Sequence, residues 1–167
     1  MQNLKRNVWI ISYLGIIMCS IAMLTPTAYF ENVIWNHENI IWIWGFFQES
    51  LNSTVSEGFY TDLNQLVSSV IASSIIIACI FIIALGLVKH RDDLKKGSID
   101  LTNYIIPAIC IISSTIFWMV MMEIAERNIY DISMWDRYVP GFGVIGMFIG
   151  AGLIILGSLL TKFIKEP

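Results

Sequence analysis

Residues 29–66 read YFENVIWNHENIIWIWGFFQESLNSTVSEGFYTDLNQL. Long apolar runs surround this polar stretch. It carries the aromatics Trp35, Trp42, Trp44, Phe46, Phe47, Phe59 and Tyr60. It also carries Glu31, Glu38, Glu49, Glu57 and Asp62, with no Lys or Arg. A loop of this length without structure of its own would be unusual, so the stretch predicts a small folded outer domain or a binding surface. Within it, Ile40–Phe47 (IIWIWGFF) is dense in β-branched and aromatic residues, which suits a short strand paired with another outer segment. Gly45 fits a bulge or a close backbone contact. Asn52-Ser53-Thr54 is an N-glycosylation sequon.

Outside this stretch the chain is mostly apolar. Of 167 residues, 56% are hydrophobic, and mean hydropathy is +0.70. Four apolar runs leave little for a soluble core, which implies an integral membrane protein. The expected architecture is an all-α membrane fold: one domain over residues 1–167, a four-transmembrane-helix bundle with a small extracellular β-containing cap. The spans fall at about 8–28, 66–88, 101–122 and 140–163, with outer loops at 29–65 and 123–139. A charged start before an apolar run also fits a cleaved leader. The first run is long for one, however, and Thr25-Pro26-Thr27-Ala28 is a mediocre cleavage site, so a retained span is expected.

The runs carry packing signals. Ser12, Gly15, Cys19 and Ala22 recur at three- and four-residue spacing and give the first span one small-residue face. Gly143, Gly146, Gly150 and Gly157 make a comparable stripe on the fourth span, with a GxxxG pair at its centre. The stripe fits close packing inside the bundle or a contact between protomers. Replacing Gly150 with Leu is expected to disturb that contact, and Ile154→Leu to do little.

Charge suggests topology. Lys5, Arg6, Lys89, Arg91, Lys95, Lys96, Lys162 and Lys165 lie in the amino terminus, the middle connection and the carboxyl terminus. Only Arg127 and Arg137 fall in the outer loops. By the positive-inside rule both termini are cytoplasmic, in a multi-pass protein of the cell membrane. Ser98 or Asp100 is placed to cap the third span.

No site of chemistry stands out. No Asp, Glu, Lys, Arg or His falls in the middle of a span, where ion and proton pathways usually place one. Net charge is −3, which gives no footprint for nucleic acid. Cys19, Cys79 and Cys110 all lie in apolar runs and read as buried small residues, with no disulfide or zinc spacing. His37 beside Glu38 is not a metal site by itself. Glu123 and Glu126 share a helix face and could hold a cation, or simply be the solvated end of a helix. No nucleophile–base pair, phosphate loop or cofactor fingerprint is present. The expectation is no catalysis, no cofactor and no metal.

The arrangement resembles the claudin and peripheral-myelin-protein tetraspan family. Thr25-Pro26 followed by Tyr29-Phe30 resembles the family's Pro-x-Trp region at the end of the first span. Gly45-Phe46-Phe47 is similar to its Gly-Leu-Trp motif, with Phe47 in the place of the tryptophan. The glycine-rich last span after Tyr138 is also similar. The cysteine pair that follows Gly-Leu-Trp in the family is absent. The resemblance implies a left-handed bundle crowned by a small outer β-sheet, and a role in adhesion, lateral assembly or as an accessory subunit.

The expected function is therefore association, lateral or at the cell surface. Partners are the lipid bilayer, a second copy of the chain or other membrane proteins. Trp35, Trp42, Trp44, Phe46 and Phe47 are the candidate interaction surface, because aromatics are favoured in binding hot spots. Their other reading is the cap's own core or an interfacial belt. The alternative function is a pore-forming or accessory subunit of a channel, transporter or membrane enzyme complex. Ser68, Ser73, Ser113 and Thr115 would be the polar lining of a pore.

Overall fold

The computed structural model describes residues 8–90 and 101–164. Expectations for Lys5, Arg6, Arg91, Lys95, Lys96 and Lys165, and for a cap at Ser98 or Asp100, lie outside the described residues. The elements run α1 (Trp9–Leu24), β1 (Ala28–Asn32), β2 (His37–Ile41), β3 (Phe46–Leu51), β4 (Thr54–Phe59) and α2 (Leu63–Lys89). A 3-10 turn (Thr102–Tyr104) then leads into α3 (Ile105–Tyr130), α4 (Met134–Arg137), β5 (Val139–Pro140) and α5 (Phe142–Ile164).

The all-α, four-span expectation is corrected on two counts. First, a five-stranded antiparallel sheet of order β4-β3-β2-β1-β5 makes the fold mixed. Second, three helices are long and apolar enough to cross a membrane, namely α2, α3 and α5. The first apolar run yields 16 helical residues, short of the roughly 20 that a crossing takes. The cause lies at Thr25-Pro26-Thr27. Thr25 is extended, and Thr27 sends both its N–H and its hydroxyl to Ile41 O, at 2.7 and 2.9 Å. The end of the apolar run is thus drawn into the sheet rather than the helix.

α1 lies antiparallel on α5, and α2 packs along α3, which also contacts α5. The four glycines of the α5 stripe all face α1 or the segment that follows it. A Cβ on Gly150 would come within 2.5 Å of Cys19 Sγ and 2.7 Å of Gly15 O. One on Gly146 would meet Ala22, one on Gly157 would meet Ser12, and one on Gly143 would meet Thr25 and Thr27. Small residues on both helices let the backbones approach, and dispersion then supplies association that apolar burial cannot supply in lipid. Ile154 is fully buried against Gly15, so it belongs to this seam.

Deeper in the bundle, Trp118 donates its indole N–H to Ser69 Oγ at 3.0 Å. Ile76, Ile83, Ile111, Met122 and Met147 are fully buried. The outward surface of the long helices is apolar too, with Val70, Phe81, Leu85, Ile109, Val120 and Ile149 exposed. Apolar inside and outside is what lipid as solvent favours, and it accords with a membrane protein.

Ile40–Phe47 is not one strand. Ile40 and Ile41 end β2, Phe46 and Phe47 begin β3, and Trp42–Gly45 turn between them. Trp42 N donates to Phe46 O, and Gly45 N to Trp42 O. Gly45 takes φ +89°, the left-handed region that glycine tolerates, and lies against Ser69 and Leu66 of α2. Ile43 of this turn is fully buried, which pins the sheet onto the bundle.

Candidate functional site

Residues paired directly across antiparallel strands share a face. Ala28 with Ile41, Phe30 with Asn39, and Asn39 with Glu49 therefore lie on one face, and Glu31 with Glu38 and Gln48 with Glu57 on the other. The first face looks onto the ends of α2 and α3, and a cleft of about 490 Å³ lies between them.

Five segments supply its polar groups. Glu126, on the last turns of α3, is 6% exposed and accepts from Gln65 Nε2 of α2 at 3.4 Å. Among the described residues it forms no ion pair. Asn39 of β2 donates its amide N–H to the hydroxyl of Tyr138, at 2.9 Å. Its Oδ1 and the Tyr60 hydroxyl are buried without a partner. His37 Nε2 and Glu49 Oε1 pair at 2.8 Å on the same wall. Asp62, also in the lining, caps α2 by accepting from Asn64 N and Gln65 N.

Aromatic rings complete the cleft. Phe47 stacks on Tyr60 at 5.7 Å. The Arg137 guanidinium lies over the rings of Phe30 at 5.1 Å and Tyr130 at 5.3 Å. Burial pushes both phenols up, Tyr60 well above the ordinary tyrosine value, and the nearby Glu126 charge adds to the rise in each. Both phenols therefore stay protonated at neutral pH.

Glu123 and Glu126 do not share a site. Glu123 accepts from Arg127 Nε, Ser133 Oγ and Met134 N, at 2.7, 3.0 and 2.8 Å. It thereby caps α4, while Glu126 turns into the cleft. His37 pairs with Glu49 across the sheet rather than with its neighbour Glu38. Among the described residues no group of three or more His, Cys, Asp or Glu could hold a metal ion.

The five aromatics singled out from sequence go to three places. Trp35 stands exposed in the β1–β2 turn, together with Val33 and Ile34. Trp42, Trp44 and Phe46 form one cluster with Phe59, in which Trp44 stacks on Phe46 at 5.3 Å and Phe46 meets Phe59 at 5.8 Å. Trp42 Nε1 donates to Leu24 O at the end of α1, so this cluster sits beside the bundle. Phe47 lines the cleft. Asn52 is exposed in the two-residue β3–β4 turn, where Asn52 and Ser53 both take positive φ, 47° and 71°.

The serines named as a pore lining do not gather. Ser68 and Ser73 donate back to Gln65 O and Val70 O, Thr115 donates to Ile111 O, and Ser113 is exposed on the outer surface of α3. The cleft itself was missed from sequence, and its only local signal was a carboxylate placed four residues before the end of an apolar helix. Compared with known proteins, the chain matches no protein-family model and no curated sequence.

Proposed function

We propose that this chain is a non-catalytic membrane protein that acts by association with other membrane proteins or with its own kind. The observation that carries the reading is the β1–β2 turn. Val33, Ile34 and Trp35 are consecutive, and 81%, 88% and 68% exposed. They are held in shape: Asn32 Oδ1 accepts from Ile34 N and Trp35 N, and Asn36 N donates to Val33 O. Apolar side chains on a braced turn lose little conformational freedom on binding, and tryptophan is favoured among binding hot spots.

The turn lies one strand away from the bundle, about 17 Å along β1 for its five residues. The resemblance to claudins and peripheral myelin proteins supports the same reading. So does the charge pattern of the sequence, which supports an outer position for the sheet. The described residues of α1 and α5 begin and end at the pole opposite the sheet, where α2 ends at Lys89, and that basic residue supports reading this pole as the cytoplasmic one.

The test is a triple variant, Val33→Ser, Ile34→Ser and Trp35→Ser, in the full chain. These side chains support little of the fold, so the melting temperature stays close to the parent's. Crosslinking in native membranes, with mass analysis of the products, should lose the parent's adducts. An unchanged set of adducts would sink the reading.

A further inference from the structure

The face of the sheet turned away from the cleft changes character row by row as it leaves the bundle. Phe46 pairs with Phe59 in the first row, beside the turn that Gly45 seats on α2. Trp44 belongs to the same row, stacked on Phe46 and edge-on to Phe59 at 6.0 Å. In the second row Gln48 lies between Ile40 and Glu57. In the third, Val55, Ser50, Glu38 and Glu31 lie side by side. Each row stands about 7 Å beyond the last, so the face passes from aromatic to carboxylate within about 14 Å. The first row is not a closed core: Phe59 is exposed, and Trp42, Trp44 and Phe46 are half-buried. Trp42 Nε1 ties the rings to Leu24 O at the end of α1, and Gly45 ties them to Leu66 of α2. Exposed apolar side chains continue from there along both helices, with Ile21 and Leu24 on α1 and Leu63, Val67 and Val70 on α2.

We propose that the first row, over Trp44, Phe46 and Phe59, is a lipid-binding surface that lies in the interfacial zone of a phospholipid bilayer. The proposal rests on the membrane reading of the long helices and not on the turn at Val33, Ile34 and Trp35. The level fits. Asp62 and Lys89 bracket α2 with no charged residue between them. Its 27 residues make about 40 Å of helix, against about 30 Å of hydrocarbon. The surplus matches the two interfacial zones, each about 5–7 Å deep, and puts the first turn of α2 in one of them. The aromatic row is seated beside that turn. Indole and phenyl rings suit this zone, which offers an apolar side and a wet side together. The carboxylates of the third row then stand in water. Residues 29–66 contain no Lys or Arg, so the surface suits zwitterionic headgroups and not anionic ones. Aromatic rings also serve protein partners, but their continuity with the exposed flanks of α1 and α2 favours lipid.

The experiment uses the full-length protein in phosphatidylcholine nanodiscs. A nitroxide is attached at Phe59→Cys or at Val55→Cys, with Cys19, Cys79 and Cys110 replaced by Ala. Both positions are exposed and lie on one face, two rows apart. Collision with oxygen, which concentrates in lipid, is compared with collision with a nickel chelate, which stays in water. The expected result is an oxygen-to-nickel ratio several-fold higher at Phe59 than at Val55. Equal ratios at the two positions would erase the boundary between the rows and overturn the proposal. A Phe59 label shielded from both reagents would mean that protein, a partner or a second copy, covers the rings, and would overturn it equally. Neither outcome alters the crosslinking result expected for Val33, Ile34 and Trp35. If the cysteine-free chain folds poorly, tryptophan emission of the parent serves, in discs of phosphatidylcholine brominated near the head of its acyl chains. Trp44→Phe should lose part of the quenching, and Trp35→Phe should not. Quenching that Trp44→Phe leaves unchanged overturns the proposal.

Discussion

Trp118 Nε1 lies 3.0 Å from Ser69 Oγ, and neither residue exposes any surface. This is a polar bond between α2 and α3 in an otherwise apolar interior. Ser69 is also the residue that Gly45 of the β2–β3 turn approaches. One serine therefore ties two long helices together and seats the sheet on them. Ser69→Ala keeps the packing but leaves an indole N–H without its partner. The expected cost is about 1 kcal/mol, within the range for interhelical bonds in membranes, read as a lower melting temperature in detergent. Ser69→Leu should cost more, because it also drives into Gly45.

Gly45→Ala tests the seat from the other side. A Cβ there would lie 3.2 Å from Ser69 Cβ and 3.3 Å from Leu66 Cδ1, in a backbone conformation that L side chains rarely adopt. Strain of this kind costs about 1–3 kcal/mol. Hydrogen exchange should show faster opening of β2 and β3, with α5 unaffected.

Gly150→Leu should be the most damaging single change in α5. The added side chain meets Cys19 and the Gly15 carbonyl, where neither helix can yield without parting from the other. Overpacking costs about 1–3 kcal/mol, and parting the helices adds to it. Gly152→Leu is the matched control, because a Cβ there meets nothing within 4 Å. Thermal melts that do not separate these two variants would remove α1 from the seam.

Alkaline stability follows from the buried phenols. Tyr60 and Tyr138 have their folded values raised above the ordinary 10.0, chiefly by burial. Their contribution is complete below the unfolded value of 10.0 and is lost as pH rises from there toward the raised folded values. Stability should therefore fall above about pH 10. Tyr60→Phe should make that decline shallower in a chemical denaturation series.

Orientation has a direct test. A cysteine placed at Asn52 should react with a membrane-impermeant maleimide added outside cells, and one placed at Lys95 should not. Reaction at Lys95 alone would reverse the assignment of sides.

The legible parts of this fold are those written in a single helical period. Ser12, Gly15, Cys19 and Ala22 form a face by spacing alone, as do the glycines of α5, and the two faces meet. Ile40–Phe47 contributes paired strand residues at both of its ends, but its composition did not show the aromatic turn at Trp42–Gly45 between them. Only the positive φ of Gly45 marks that turn. The length of α1 was overread because hydropathy continues to Leu24 whether or not the next residues leave for a sheet. The cleft had no sequence signal of its own. Asn39, Tyr60, Glu126 and Tyr138 are far apart in the chain, and each has an ordinary local reading. Trp118 carried no signal of its own, since an apolar run does not reveal which of its faces turns inward.

The pairing of α1 with α5 also sets an order of events during synthesis. α1 leaves the ribosome well before α5, its main neighbour. At roughly 5–20 residues per second, the residues between them occupy on the order of ten seconds. For that time Ser12, Gly15 and Cys19 have no glycine stripe to meet, and β1 has no β5 to close its edge. A nascent chain arrested before Phe142 should present this face and this edge together. Such an arrested chain is the form of the molecule most open to capture by an insertion chaperone or to mispairing with another copy.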